Sequence, residues 1–336
     1  TELQASLNLS SGSIIKVTLF NLGNDQPNRL LIVIHHLAVD GVSWRILLED
    51  LATAYQQIAR SQAIVLPAKT TSFQDWAVRL TQYASSQKAL AELNYWLTQF
   101  DCDISPLPLD YPLSETENTI ADAAQILVSL SVEQTLALLK EVPKAYNTQI
   151  NDVLLTALLQ CFAQWTGQSS LLINLEGHGR EELFEDVNLS RTVGWFTSIF
   201  PVLLKLDKID LPLKLLKSIK EQLRRIPQYG VGYGILRYLS SDQTTRLRLE
   251  HLPTPQVSFN YLGQFDTMLN AFPILGLAKE SGGSPVSLKN SRSHLLEIDG
   301  FVAQGKLRLT WTYNQKFYKK ATVERLAEGF IEALTA

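Results

Sequence analysis

The stretch LLIVIHHLAVDGVSW, residues 30–44, decides how this chain is read. Leu30 to Ile34 is rich in β-branched residues and alternates too little for a half-exposed strand, so it predicts a buried one. Ser43 stands where a cap belongs, with a helix beginning at Trp44. His35 and His36 therefore fall at a strand end that opens into a turn, with Asp40 and Gly41 close behind. An imidazole titrates near neutral pH, and a strand end holds it firmly while leaving a ring edge reachable. Neighbouring strand side chains point to opposite faces, so one histidine can pack while the other faces a cavity. The plainer alternative is a satisfied structural histidine. A metal centre of His35, His36 and Asp40 is disfavoured, because the two rings diverge and no third histidine or cysteine lies nearby. A Ser-His-Asp triad lacks its GxSxG elbow.

Working outward, 336 residues suit two domains, and 46% hydrophobic with 19% charged residues suffices for a sizeable core. The formal charge of -3 argues against a nucleic-acid partner, since binding phosphates needs concentrated Lys and Arg. Cys102 and Cys161 lie far apart without CxxC spacing, which fits reduced thiols in a cytoplasm. No apolar run reaches the length of a membrane span, and TELQASLNLSSG lacks the basic flank and hydrophobic core of a signal peptide. The expectation is a soluble cytoplasmic protein with no membrane partner.

Ser13 to Phe20 and Arg29 to Ile34 read as a hairpin joined by GNDQPN. Helices follow at 44–60, with Trp44, Leu47, Leu48, Leu51, Tyr55 and Ile58 on one face, then at 73–83 and 87–100. The prolines of PLPLDYP forbid regular structure and mark a boundary between residues 1–115 and 116–336. Beyond it come a strand at 121–130, a capping box at Ser131 to Gln134, and a helix at 150–165 stopped by Gly167. A buried strand is predicted at 171–175, with further strands at 198–206, 256–262, 294–303 and 306–313, and helices at 211–225 and 323–334. The fold class is α/β, an α+β sandwich in two lobes.

The strand at 171–175 delivers EGHGRE, residues 176–181, into a loop, so a second acidic group sits at a strand end. Pairing of Glu176 with Arg180 around a tight turn is the bland reading. The glycines are too few and too badly spaced for a phosphate loop. PQYGVGYGILRYL from Pro227 suits a shaped loop or lid, and equally a connection.

Six motifs then accumulate in order: HHLAVDGVSW at 35–44, NDVLLTAL at 151–158, EGHGRE at 176–181, RTVGWFTSIFP at 191–201, GVGYGILRYL at 230–239 and FNYLGQFD at 259–266. Together they resemble an epimerization domain of a nonribosomal peptide synthetase, within the condensation-domain and chloramphenicol acetyltransferase-like superfamily. The resemblance covers essentially the whole chain. It departs at the start, where the family carries a further segment with a PIQxWF-like motif, so the sequence reads as a domain fragment whose first lobe is incomplete. The resemblance implies two acyltransferase-like lobes in a V shape with the active site in a tunnel between them. It implies His36 and Glu176 as principal acid/base residues, supported by His35, Asp40 and Arg180, with Asn260 and Tyr261 approaching from a later strand. Tyr261 or backbone N–H groups near Gly41 would stabilise the enolate oxygen. The substrate would be an aminoacyl or peptidyl thioester on the phosphopantetheine arm of a peptidyl carrier protein, among neighbouring synthetase modules, with no cofactor or metal bound by this domain. A condensation-type acyltransferase, in which nothing demands Glu176, and a non-catalytic docking module remain the alternatives.

Overall fold

The computed structural model describes residues 2–100, 104–112, 117–206, 212–264, 276 and 278–336. Cys102, the expected boundary at residues 115 and 116, and the last two residues of FNYLGQFD lie outside the described residues. The chain forms two compact units, each assembled from separate stretches. The first takes Thr1–Ala77, Phe184–Thr197 and Thr267–Ser287; the second takes Val78–Leu183, Ser198–Asp266 and Leu288–Ala336.

In the first unit, β1 (Ile15–Phe20) and β2 (Arg29–Ile34) form the expected antiparallel hairpin, with Ile15 opposite Ile34 and Phe20 opposite Arg29. β2 is half-buried rather than buried, because among the described residues this sheet has only two strands and a ribbon cannot cover both its faces. Helix α1 (Gly41–Ala59) begins before Trp44, and its cap is Asp40, whose side chain accepts from the Ser43 N–H. Asp40 outcompetes Ser43 as cap because its carboxylate reaches that N–H from one turn earlier. The predicted apolar face is also displaced: Tyr55 and Ile58 are each 61% exposed, and the buried positions are Ser43, Ile46 and Ala52. Ser43 is buried by its hydrogen bonds to the backbone of Gly194, a partner that apolar periodicity does not register.

The second unit holds a six-stranded sheet in the order β3-β8-β7-β6-β4-β5, built from Ala123–Ser129 (β3), Ser170–Gly177 (β4), Ser198–Lys205 (β5), Val257–Gln264 (β6), Leu296–Ala303 (β7) and Lys306–Asn314 (β8). The β4–β6 and β6–β7 pairs are parallel and the others antiparallel. Register aligns Leu175, Phe259, Ile298 and Trp311 across neighbouring strands on one face. That face is covered by α3 (Ile150–Thr166) and α4 (Lys320–Thr335): Trp311 stacks on Phe162 with ring centroids 6.3 Å apart and meets Phe330 edge-on at 5.9 Å. Gly167 ends α3 in a left-handed conformation, as its position predicts. The capping box at Ser131 and Gln134 is formed as well, although the helix beyond it relaxes into a π turn at Ala137–Glu141. The opposite face of the sheet takes the alternate residues, among them Asn174, Glu176, Ser258, Asn260, Glu297 and Asp299.

One buried acid lies outside that polar face. Glu92, on α2 (Gln87–Thr98), is buried with Oε2 lacking a hydrogen-bond partner among the described residues, and burial pushes its carboxyl up to about 7 against a smaller opposing effect of Trp96. The folded state therefore holds a proton that the unfolded chain releases near its ordinary value, so the contribution of Glu92 to stability is greatest below about pH 4.5 and is lost as pH rises through 7. Between those limits the stability of the native protein relative to Glu92→Gln should drop by about 2 to 3 kcal/mol. Urea unfolding of both proteins at pH 5 and pH 8 measures this, and parallel curves would refute it.

Candidate active site

In the first unit, β2 ends at Ile34 and the chain enters a short turn at His36–Ala38. His35 caps that turn: its Nδ1 accepts the Leu37 N–H at 3.1 Å. The ring of the first histidine is thus committed to backbone. His36 lies with its ring centroid 4.9 Å from that of Trp195, the planes tilted by 53°. Trp195 was not among the candidates drawn from the sequence, and the signal available was its place in RTVGWF, an aromatic ring beside a glycine.

Asp40 is only 4% exposed and works on backbone: Oδ1 accepts the Ser43 N–H at 2.7 Å, and Oδ2 accepts the Phe196 N–H at 3.2 Å. Ser43 completes the clamp, its hydroxyl donating to the Gly194 carbonyl at 2.9 Å and accepting the Gly194 N–H at 3.1 Å. Arg191 fastens the same segment to α1 through Glu49 at 2.6 Å and Asp50 at 2.5 Å. A Cβ at Gly194 would collide with the Phe73 ring, which is why the backbone can approach here. So HHLAVDG and RTVGWF, far apart in sequence, form one corner, in which Asp40 is architectural and His36 keeps company with an indole. Gly41, by contrast, is exposed, and a Cβ there would meet nothing within 4 Å. Its value is as the first residue of α1, where backbone N–H groups point out of the helix.

In the second unit, Glu176 is the penultimate residue of β4 and exposed. Asn260 of β6 donates from Nδ2 to Glu176 Oε2 at 2.6 Å. The parallel register that pairs Leu175 with Phe259 puts these two side chains on the same face. Tyr261 goes the other way: alternation turns it to the helix-covered face, where it is paired with Gly300 and its Cδ2 would sit 3.6 Å from a Cβ there. Burial pushes its hydroxyl up to about 12. The structure thus brings Asn260 to Glu176 and does not bring Tyr261, because adjacent strand residues cannot share a face.

After β4, the Arg180 N–H donates to His178 Nδ1 at 3.0 Å, and His178 Nε2 lies 3.5 Å from Glu181 Oε1. Burial raises the Glu181 carboxyl while His178 opposes it. On β7, burial and the neighbouring Glu297 push the Asp299 carboxyl up to about 6; register pairs Asp299 with Asn260, and no motif in the sequence marks this neighbour. Among the described residues no group of three or more His, Cys, Asp or Glu is arranged to hold a metal ion, and no helix is long and apolar enough to cross a membrane.

The chain is 49% identical over 334 residues to a linear gramicidin synthase of Brevibacillus parabrevis, covering 99% of this chain and 4% of that protein. It is 42% identical over 342 residues to gramicidin S synthase 1 of Brevibacillus brevis, covering 99% of this chain and 31% of that protein. The chain therefore spans well under half the length of these curated relatives. Among solved structures, the epimerization domain from the third module of tyrocidine synthetase B superposes with a TM-score of 0.91 at 39% identity, covering 99% of this chain and 74% of that one. The condensation domain of the Monacolin K polyketide synthase MokA shares the fold alone, with a TM-score of 0.72 at 18% identity over 98% of this chain and 73% of that one. The Condensation domain family matches residues 1–336 from end to end, and this chain belongs to that family.

Proposed function

We propose that this chain epimerizes the α-carbon of an aminoacyl or peptidyl thioester carried on the phosphopantetheine arm of a peptidyl carrier protein, by acid/base proton transfer without a cofactor. The observation that carries the reading is the Glu176 carboxylate, presented at the end of β4 and gripped by Asn260. A condensation-type acyltransferase, which joins an amine to a thioester, has no evident use for this pair. The likeness to an epimerization domain at 39% identity supports the same choice.

Inversion needs a proton to leave one face of the α-carbon and another to arrive on the opposite face. A thioester lowers the α-proton's pKa because sulfur donates poorly into the carbonyl. One of His36 and Glu176 takes that proton, the electron pair moves into the carbonyl to give an enolate, and the conjugate acid of the other delivers a proton to the far face. The thioester re-forms, the two groups have exchanged protonation states, and solvent or a turnover in reverse resets them. An imidazole and a carboxylate carried on separate strand ends suit a reaction that no single wall can perform. Asp40 and His35 hold the turn that bears His36, and Arg180 belongs to the loop after Glu176. Enolate stabilisation falls to backbone N–H groups at Gly41, since Tyr261 is turned to the other face.

An L-aminoacyl carrier protein supplied to the enzyme in deuterated water should gain deuterium at Cα and approach a D:L equilibrium. Absence of exchange would reject this reading, and peptide-bond formation with a second carrier would establish the acyltransferase in its place.

A further inference from the structure

The segment after Pro227 has no role in the chemistry above, yet its backbone is held in an unfavourable state. Gln228 (φ 45°, ψ 38°) and Tyr229 (φ 51°, ψ 29°) are consecutive non-glycine residues in the left-handed region, and Gly230 follows at φ 88°. L-residues avoid this conformation, and two in succession persist only where the surroundings over-determine them. Here they do. The Phe200 ring occupies the place of a Cβ at Gly230, and Glu92 occupies the place of a Cβ at Gly232. The Tyr229 carbonyl oxygen would lie 3.4 Å from a Cβ at Gly177, the residue directly after Glu176. Gly230 and Gly232 thus let the segment lie close against Phe200 of β5 and Glu92 of α2, and Gly177 lets it approach the strand end that bears the candidate carboxylate. The result is a tyrosine 71% exposed, whose ring stacks on no other aromatic ring among the described residues.

We propose that Tyr229 is a substrate-contacting residue, held beside the Glu176 strand end so that its ring packs against an apolar side chain of the amino acid carried by the thioester. The identity of that ligand rests on the epimerase reading. A phenolic ring offers an apolar face with a polar tip, which suits an aromatic or large aliphatic side chain and gains little from a methyl group. If the segment were a mere connection, glycine at residue 229 would relieve the left-handed backbone at no cost to binding.

The test uses stable amide analogues of the thioester, phenylalanyl- and alanyl-aminopantetheine, titrated calorimetrically into the full chain. Tyr229→Ala should weaken the phenylalanyl probe about tenfold and the alanyl probe less than about twofold, while Tyr229→Phe binds as the native protein does. Tyr229→Gly should raise the melting temperature and yet lose phenylalanyl affinity, a combination that a purely structural residue would not produce. Unaltered affinity in Tyr229→Ala, equal loss for both probes, or native-like binding by Tyr229→Gly would each overturn the proposal, as would a native protein that binds neither probe. Native binding without deuterium exchange on the carrier substrate would count against the epimerase reading alone.

Discussion

Glutamine in place of Glu176, and alanine in place of His36, should each slow L-to-D equilibration by about a thousandfold, within the range that a positioned acid or base contributes. Glu176→Gln is the cleaner of the two. Glutamine keeps a carbonyl oxygen able to accept the Asn260 N–H that Glu176 Oε2 accepts at 2.6 Å, so the local structure survives while the proton-transfer group is lost. His36→Ala removes a ring that meets Trp195 but spares His35, whose Nδ1 holds the turn. Both variants should therefore melt within a few degrees of the native protein. Groups that act in one reaction are not additive, so the double variant should be little slower than either single one. Label washing out from the L but not the D substrate in one variant would assign that variant's remaining group to the L face. Equilibration at the native rate in Glu176→Gln would remove Glu176 from the mechanism, whatever the other residue does.

The largest effect on stability is expected from Gly230→Ala. Two penalties coincide there: a left-handed backbone at φ 88° and overlap of the new Cβ with the Phe200 ring, which lies in the core. The first costs about 1 to 2 kcal/mol and the second about 1 to 3 kcal/mol, because a packed ring can yield only by leaving its rotamer. Gly167→Ala in the same unit separates them. Its φ of 72° carries the backbone penalty, but a Cβ there meets nothing within 4 Å. Urea unfolding should place Gly167→Ala about 1 kcal/mol below the native protein and Gly230→Ala about 3 to 4 kcal/mol below it. Equal losses in the two variants would show that the Phe200 ring gives way freely, and would weaken the view of the 227–232 segment as rigidly held.

Much of the local structure was legible. The hairpin, the helix ended by Gly167, the capping box at Ser131 and the strands of the large sheet follow from periodicity and from caps, which are properties of neighbouring residues. The start of α1 was misplaced by a few residues because two good capping residues, Asp40 and Ser43, lie within one turn. Its buried face was misjudged for a different reason. Ser43 is buried by hydrogen bonds to Gly194, a residue 151 positions away, and no helical pattern encodes such a partner.

The candidate site divides in the same way. Sequence alone determined that an imidazole and a carboxylate stand at the ends of two strands, and that Asn260 follows the register of a third, since strand ends and alternation are written in short runs. Tertiary structure decided that Asp40 serves the backbone of Phe196, that Trp195 lies against His36, and that Asn260 rather than Tyr261 reaches Glu176. The physical reason is range. A run of residues dictates which groups share a face within one element, but which face meets which neighbour depends on the path of the whole chain, here one that returns residues 184–197 to the unit begun by residues 1–77.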